Sequence, residues 1–125
     1  MSHGILLVFS NPSSTERLAE FNQWYSGTHL PEFLRLKSVK SARRFELSES
    51  QMPLPPGVPL AGRRFLAAYE IDTDDFAALS KEIMATAKDR TQSDVLEREP
   101  LPLALLFEQL GPEQLTDSSV EAGAA

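Results

Sequence analysis

Ile5-Leu6-Leu7-Val8-Phe9 follows Gly4 as an unbroken apolar run, and neither of its alternating faces is polar. A strand with one wet face would alternate, so the run predicts a strand covered on both sides. Asn11-Pro12-Ser13 ends it, and Ser13 with Glu16 three positions on has the form of a capping box, which predicts a helix start. Leu18, Phe21 and Tyr25 then recur at helical spacing, with Ala19 and Trp24 beside them, giving the helix an apolar stripe. Ser26-Gly27 interrupts the stripe, because glycine costs about 1 kcal/mol relative to alanine inside a helix and readily takes positive φ. The chain is expected to turn there. Pro31 suits the first turn of a second short helix over 31–36, with Phe33, Leu34 and Leu36 for burial. His29 falls in the junction between the two helical pieces.

Residues 38–47 alternate, with Val39, Ser41, Arg43, Phe45 and Leu47 on one face and Lys40, Ala42, Arg44 and Glu46 on the other. Pro53, Pro55, Pro56 and Pro59 make 51–62 a long connecting loop, read as a connection that is also placed to act as a lid or dimer contact. A third strand over 63–71 puts Phe65, Ala67, Tyr69 and Ile71 on one face and Leu66, Ala68 and Glu70 on the other. The segment 72–75 supplies caps for a helix in which Phe76, Leu79, Ile83 and Ala87 repeat, ending near Arg90. A last apolar strand over 103–110 is stopped by Gly111-Pro112, and 113–125 reads as a disordered acidic tail.

The order βαββαβ is that of the ferredoxin-like class: an α+β domain over 1–112 whose four-stranded antiparallel sheet carries two main helices on one face. Strands 5–9 and 103–107 are apolar on both sides, so the other face would expose a patch of several hundred Å² in water. A second copy packed on it, forming an isologous homodimer, resolves that exposure.

Composition narrows the chemistry. At 125 residues, 42% hydrophobic and 24% charged, the chain fits a single core. A net charge of −6 opposes binding to phosphate backbones, so nucleic acid is not an expected partner. The longest apolar run is far short of the roughly 20 residues that span a bilayer, and no basic segment precedes it. No membrane partner and a cytoplasmic location are expected. There is no cysteine, hence no disulfide or thiolate site; His3 sits near a terminus expected to fray, which leaves His29 and no multi-histidine metal site. No Gly-rich phosphate loop, nucleophile elbow or paired-carboxylate motif occurs.

Phe21-Asn22-Gln23-Trp24-Tyr25, then Thr28-His29-Leu30-Pro31, then Ser41-Ala42-Arg43-Arg44-Phe45 resembles the Asn-x-Trp-Tyr, His-Leu-Pro and Ala-Arg-Arg-Phe series of EthD-like proteins in the dimeric α+β barrel superfamily. Lys37-Ser38 stands where those motifs usually carry Pro-Gly, and Ser26 where an acidic residue often follows the tyrosine. The resemblance implies a barrel made by two sheets, with a pocket in each subunit between helices and sheet. Its members include cofactor-free lyases, cyclases, isomerases and decarboxylases, quinone-forming monooxygenases and haem-handling enzymes.

His29 is the candidate acid or base, since an imidazole with a pKa of about 6.5 trades protons near neutrality. Tyr25 is a candidate hydroxyl donor, and Trp24 a candidate ring for a flat substrate. Arg43 shares the face of Val39, Phe45 and Leu47, where a buried guanidinium needs a carboxylate such as Glu32 or Glu70, or an anionic ligand. Asn22, Glu32, Phe45 and Tyr69 complete the expected site. The leading expectation is a cofactor-independent lyase, isomerase or cyclase acting on a small hydrophobic carbonyl or aromatic metabolite. A non-catalytic small-molecule-binding dimer and a cofactor-free monooxygenase are the alternatives.

Overall fold

The computed structural model describes residues 2–53, 55–56, 62–117 and 119. Its strands are β1 (Ser2–Ser10), β2 (Val39–Glu46), β3 (Phe65–Thr73) and β4 (Leu103–Glu108). They form one sheet in the order β2-β3-β1-β4, every neighbouring pair antiparallel. The double-sided apolar run is thus a central strand, with Leu6 between Tyr69 and Leu106. His3 is held rather than frayed: it pairs with Asp72 across the sheet, and its Nδ1 lies 2.7 Å from that carboxylate. The 51–62 loop lies partly outside the described residues, as does the expected tail. The described part of the tail, 113–117 and 119, carries neither helix nor strand.

Leu6, Ala67, Tyr69 and Ile71 bury themselves on one sheet face against Phe21, Tyr25, Phe33 and Leu79 from the helices. Gly4 is where the layers meet most tightly. A Cβ there would stand 2.5 Å from the Phe107 carbonyl oxygen and 2.6 Å from the Phe76 ring, so only glycine lets β4 and the second helix close on β1.

In β2 the register slips by one between Val39 and Ser41. Val39 is buried opposite Ile71, while Ala42 opposes Tyr69 and Arg44 opposes Ala67. A strand read by strict alternation from Val39 therefore has its second half on the wrong face, because the bulge inserts one uncounted residue. Arg44 faces the helices. Arg43 and Phe45 face the other way with Ser41.

A 3₁₀ turn, Thr15–Arg17, leads into α1 (Leu18–Trp24), a π-helical turn (Tyr25–His29) and α2 (Leu30–Phe33). The expected capping box does not form: no side chain caps this start, and the Ser13 N–H instead donates to the Val95 carbonyl at 2.6 Å. The expected turn at Ser26-Gly27 is also absent. Trp24 and Leu30 keep helical angles on either side, and Gly27 has no positive φ. Pro31 accounts for the altered geometry, since it offers no N–H to the Gly27 carbonyl and its ring would collide with that group in a regular helix. The chain stays helical and widens by one residue.

The second long helix, α3 (Phe76–Ala85), is capped by Asp75, whose Oδ1 accepts from the Ala78 N–H at 2.9 Å. A further 3₁₀ turn, Ala87–Asp89, brings the chain to Arg90. Val95, in the return to β4, is part of the buried core and was not singled out by periodicity.

The sheet face opposite the helices carries Ile5, Leu7, Phe9, Leu66, Phe45, Leu105 and Phe107. Phe45 is 48% exposed and Phe107 49%, and nothing among the described residues covers them.

Candidate functional site

The π-helical turn sets the site. In a regular α-helix residues five apart lie on different sides. Here the wider turn stacks Trp24 on His29, with ring centroids 5.0 Å apart and 26° between planes. Tyr25 meets the same imidazole edge-on at 4.9 Å, and Phe33 approaches it at 6.0 Å. Phe33 in turn lies 4.4 Å from Tyr69 on β3, so helix and sheet aromatics form one continuous group.

Burial controls the chemistry of this group. It pushes the His29 imidazole down to about 4, with Arg90 adding to the effect and Glu32 opposing it. His29 is therefore neutral at physiological pH, and its Nδ1 is buried without a hydrogen-bond partner. Tyr25 and Tyr69 are 2% and 0% exposed, and burial drives both phenols upward in pKa. They remain protonated hydrogen-bond donors. Their hydroxyls and that of Ser10 are near enough to influence one another's acidity, yet Tyr69 Oη and Ser10 Oγ have no well-formed hydrogen bond. Trp24 Nε1 is in the same position. The Tyr25 hydroxyl lies within the influence of both Tyr69 and Ser10, which leaves Trp24 Nε1 and His29 Nδ1 as the buried polar atoms of the group with no partner, each costing about 1–3 kcal/mol.

Two guanidiniums flank the rings. Arg44 Cζ lies 4.8 Å from the Tyr25 ring centroid and 5.3 Å from that of Phe21. Its nitrogens donate to Asn22 Oδ1 at 2.9 Å and Ser26 Oγ at 3.1 Å. Arg90 Cζ sits 5.0 Å above Phe33, and its nitrogens donate to the Ile83 carbonyl at 2.8 Å and Thr86 Oγ1 at 2.9 Å.

Of the residues singled out by sequence, His29, Trp24, Tyr25 and Tyr69 converge. Asn22 joins them by holding Arg44 rather than His29. Glu32 turns outward to the segment after the 3₁₀ turn Ala87–Asp89, where its carboxylate accepts from the Thr91 N–H and hydroxyl, each at 3.0 Å. Arg43 and Phe45 are on the opposite sheet face, where Arg43 lies 3.8 Å from Glu70 and both side chains are solvated. The expectation that Arg43 is the inward arginine is corrected by the bulge, which gives that place to Arg44. Arg90 had no signal in periodicity, since it follows the last helical turn.

A cleft of about 280 Å³ lies between α2 and the end of α3, lined by the charged residues Glu32, Arg35, Glu82, Asp89 and Arg90 with Leu36 and Thr86; Trp24, Tyr25, His29 and Tyr69 are not in its lining. Another, of about 300 Å³, lies between the start of α1 and the ends of β2 and β3, against Leu18, Arg64 and Phe65. No group of three or more metal-ligating side chains occurs among the described residues. No described helix is long and apolar enough to cross a membrane.

Element order, sheet order and the placement of both long helices on one face define an α+β protein of the ferredoxin-like fold, with an aromatic and polar cluster between its layers. The fold is shared with a crystal structure of an ethyl tert-butyl ether D (EthD) family protein from Bacillus halodurans C-125. The match has a TM-score of 0.53 and 14% sequence identity, and covers 88% of this chain and all of the other. The EthD-like resemblance read from residues 21–45 thus extends to the fold. No family model and no curated protein matches the sequence.

Proposed function

We propose that the chain is a cofactor-independent enzyme of small-molecule metabolism that moves a proton on a hydrophobic carbonyl compound bound between helices and sheet. The observation that carries this reading is the convergence of a neutral, unpartnered imidazole with two buried phenol donors at His29, Tyr25 and Tyr69. In the proposed step a C–H bond next to the carbonyl breaks and its proton passes to His29 Nδ1. The electron pair moves onto the carbonyl oxygen, which accepts a hydrogen bond from Tyr69 or Tyr25. Returning the proton to another carbon gives isomerisation; attack of the enolate carbon on a second carbonyl of the same molecule forms a ring C–C bond, and the resulting alkoxide takes the proton back from His29 to give cyclisation. Trp24 and Phe33 would hold the flat part of the substrate.

The working form would be a homodimer, with the open face carrying Phe45, Leu105 and Phe107 closed against its copy. A non-catalytic carrier is the second reading, favoured by the low proton affinity of His29. Deuterium exchange separates the two. A panel of enolisable ketones is incubated with the protein in D₂O and followed by NMR. Catalysed exchange that falls by about 100-fold or more in His29→Ala supports the enzyme. A ketone that binds without exchanging supports the carrier.

A further inference from the structure

We infer that the arm following β4, residues 109–117, crosses to a second copy of the chain and seats on the basic start of that copy's β2, at Lys37 and Lys40. The inference rests on the homodimer proposed above, and names a contact that the two copies exchange.

Its own subunit leaves the arm uncovered. Leu110 is 95% exposed and Leu115 81%, although the start of the segment is tied down. The Gln109 N–H donates to the His3 carbonyl at 2.9 Å, Gln109 Nε2 donates to the Gly111 carbonyl at 2.9 Å, and Gly111 turns the chain with φ at +68°. Glu113 then shares a cleft of about 340 Å³ with Ile5, Glu70 and Phe107, which belong to the open sheet face. The arm thus bends to the side on which a second copy would sit, and its two leucines enlarge the apolar surface there.

Charge selects the seat. No basic residue follows Arg98, and Glu99, Glu108, Glu113 and Asp117 make 99–117 uniformly acidic. Residues 33–45 are the reverse, with Arg35, Lys37, Lys40, Arg43 and Arg44 and no acidic side chain. Lys37 and Lys40 are exposed, and neither has a carboxylate within 4.0 Å among the described residues. In its own subunit Glu113 lines its cleft with Glu70 and Glu108 and with no basic residue. The acidic and basic stretches lie on the two outer strands, at the same end of the sheet: Val39 is level with Ile71, Gly4 and Glu108. Within one subunit they are held three strand spacings apart, about 14 Å. A two-fold axis running along the strands between two facing sheets sets the end of each β4 beside the start of the other copy's β2. Ion pairs at a wet rim are weak, so the leucines supply affinity while the charges fix which edge they meet.

The chain has no cysteine, so an introduced disulfide reports this contact directly. Chains carrying Thr116→Cys are mixed with chains carrying Ser41→Cys, both at exposed positions, left to exchange subunits and oxidised mildly. A mixed disulfide dimer is expected to form at least about tenfold faster than a dimer of either variant alone. Charge reversal gives a second readout. Lys37→Glu/Lys40→Glu should raise the dimer dissociation constant in sedimentation equilibrium by about tenfold or more, and adding Glu113→Lys/Asp117→Lys should restore most of the loss. Circular dichroism checks that the variants are folded. With both cysteines in one chain, an intrachain disulfide and no mixed dimer would mean that the arm folds back on its own subunit, which overturns the inference. A dimeric wild type that yields no mixed disulfide, or whose dissociation constant ignores the charge reversals, overturns it too and leaves the homodimer reading intact. If the wild-type chain sediments as a monomer, both readings fall.

Discussion

His29 shows how one half-buried side chain ties part of the stability to pH. Its folded pKa, about 4, is below the unfolded value near 6.5, so the unfolded chain binds the proton more readily. The contribution of the neutral form is complete above about pH 6.5, is lost as the pH falls, and is gone below about 4; it amounts to roughly 3 kcal/mol. Urea midpoints at pH 7 and pH 4.5 should therefore differ by less in His29→Leu than in the wild type. An equal difference in both would mean that the imidazole titrates normally. Gly4 makes a second residue-scale case. Adding one methyl group there drives it into the Phe107 carbonyl and the Phe76 ring, and Gly4→Ala should destabilise the fold by about 1–3 kcal/mol in denaturant titration.

Within single elements, the helix from Leu18 to Phe33 is continuous although its sequence carries Ser26, Gly27 and Pro31, three residues that argue for a break. Tertiary packing of Phe21, Tyr25 and Phe33 overrides those local costs, and the proline is absorbed by widening one turn. Pro31→Ala restores the missing N–H and should let the turn contract, unstacking Trp24 from His29. A changed Trp24 emission is the expected signature; an unaltered spectrum would mean that something other than Pro31 widens the turn. At α3 the reading from sequence was direct. Asp75 caps it as its residue type suggests, and Asp75→Ala should cost about 1 kcal/mol in thermal or denaturant unfolding.

For the whole molecule, the order of elements, the double-sided burial of β1 and the packing of both main helices on one face of the sheet were legible from hydrophobic periodicity and the βαββαβ order, because each is set by which residues must avoid water. The clustering of His29, Trp24, Tyr25 and Tyr69, the candidate site, was legible because aromatic and titratable residues recur on faces that periodicity could place. Arg44 and Arg90 were not. One depends on a register slip in β2 and the other on the course of the chain after α3, and neither leaves a pattern in the spacing of apolar residues. The open sheet face belongs to this scale too. If it closes on a second copy, Phe107→Lys should convert a dimer into a monomer in sedimentation equilibrium at micromolar concentration. A wild-type chain that sediments as a monomer would remove the barrel from the proposal.

The bulge in β2 gives this strand a spare position. Lys40 is the residue for which the ladder has no counterpart: Val39 pairs with Ile71 and Ser41 already pairs with Glu70. A chain lacking Lys40 would count evenly from Val39 to Glu46 and still turn Arg44 toward the helices and Arg43 away from them. Strict counting from Val39 assigns the inward place to Arg43; the residue opposite Ala67 is the one that takes it, and that residue is Arg44.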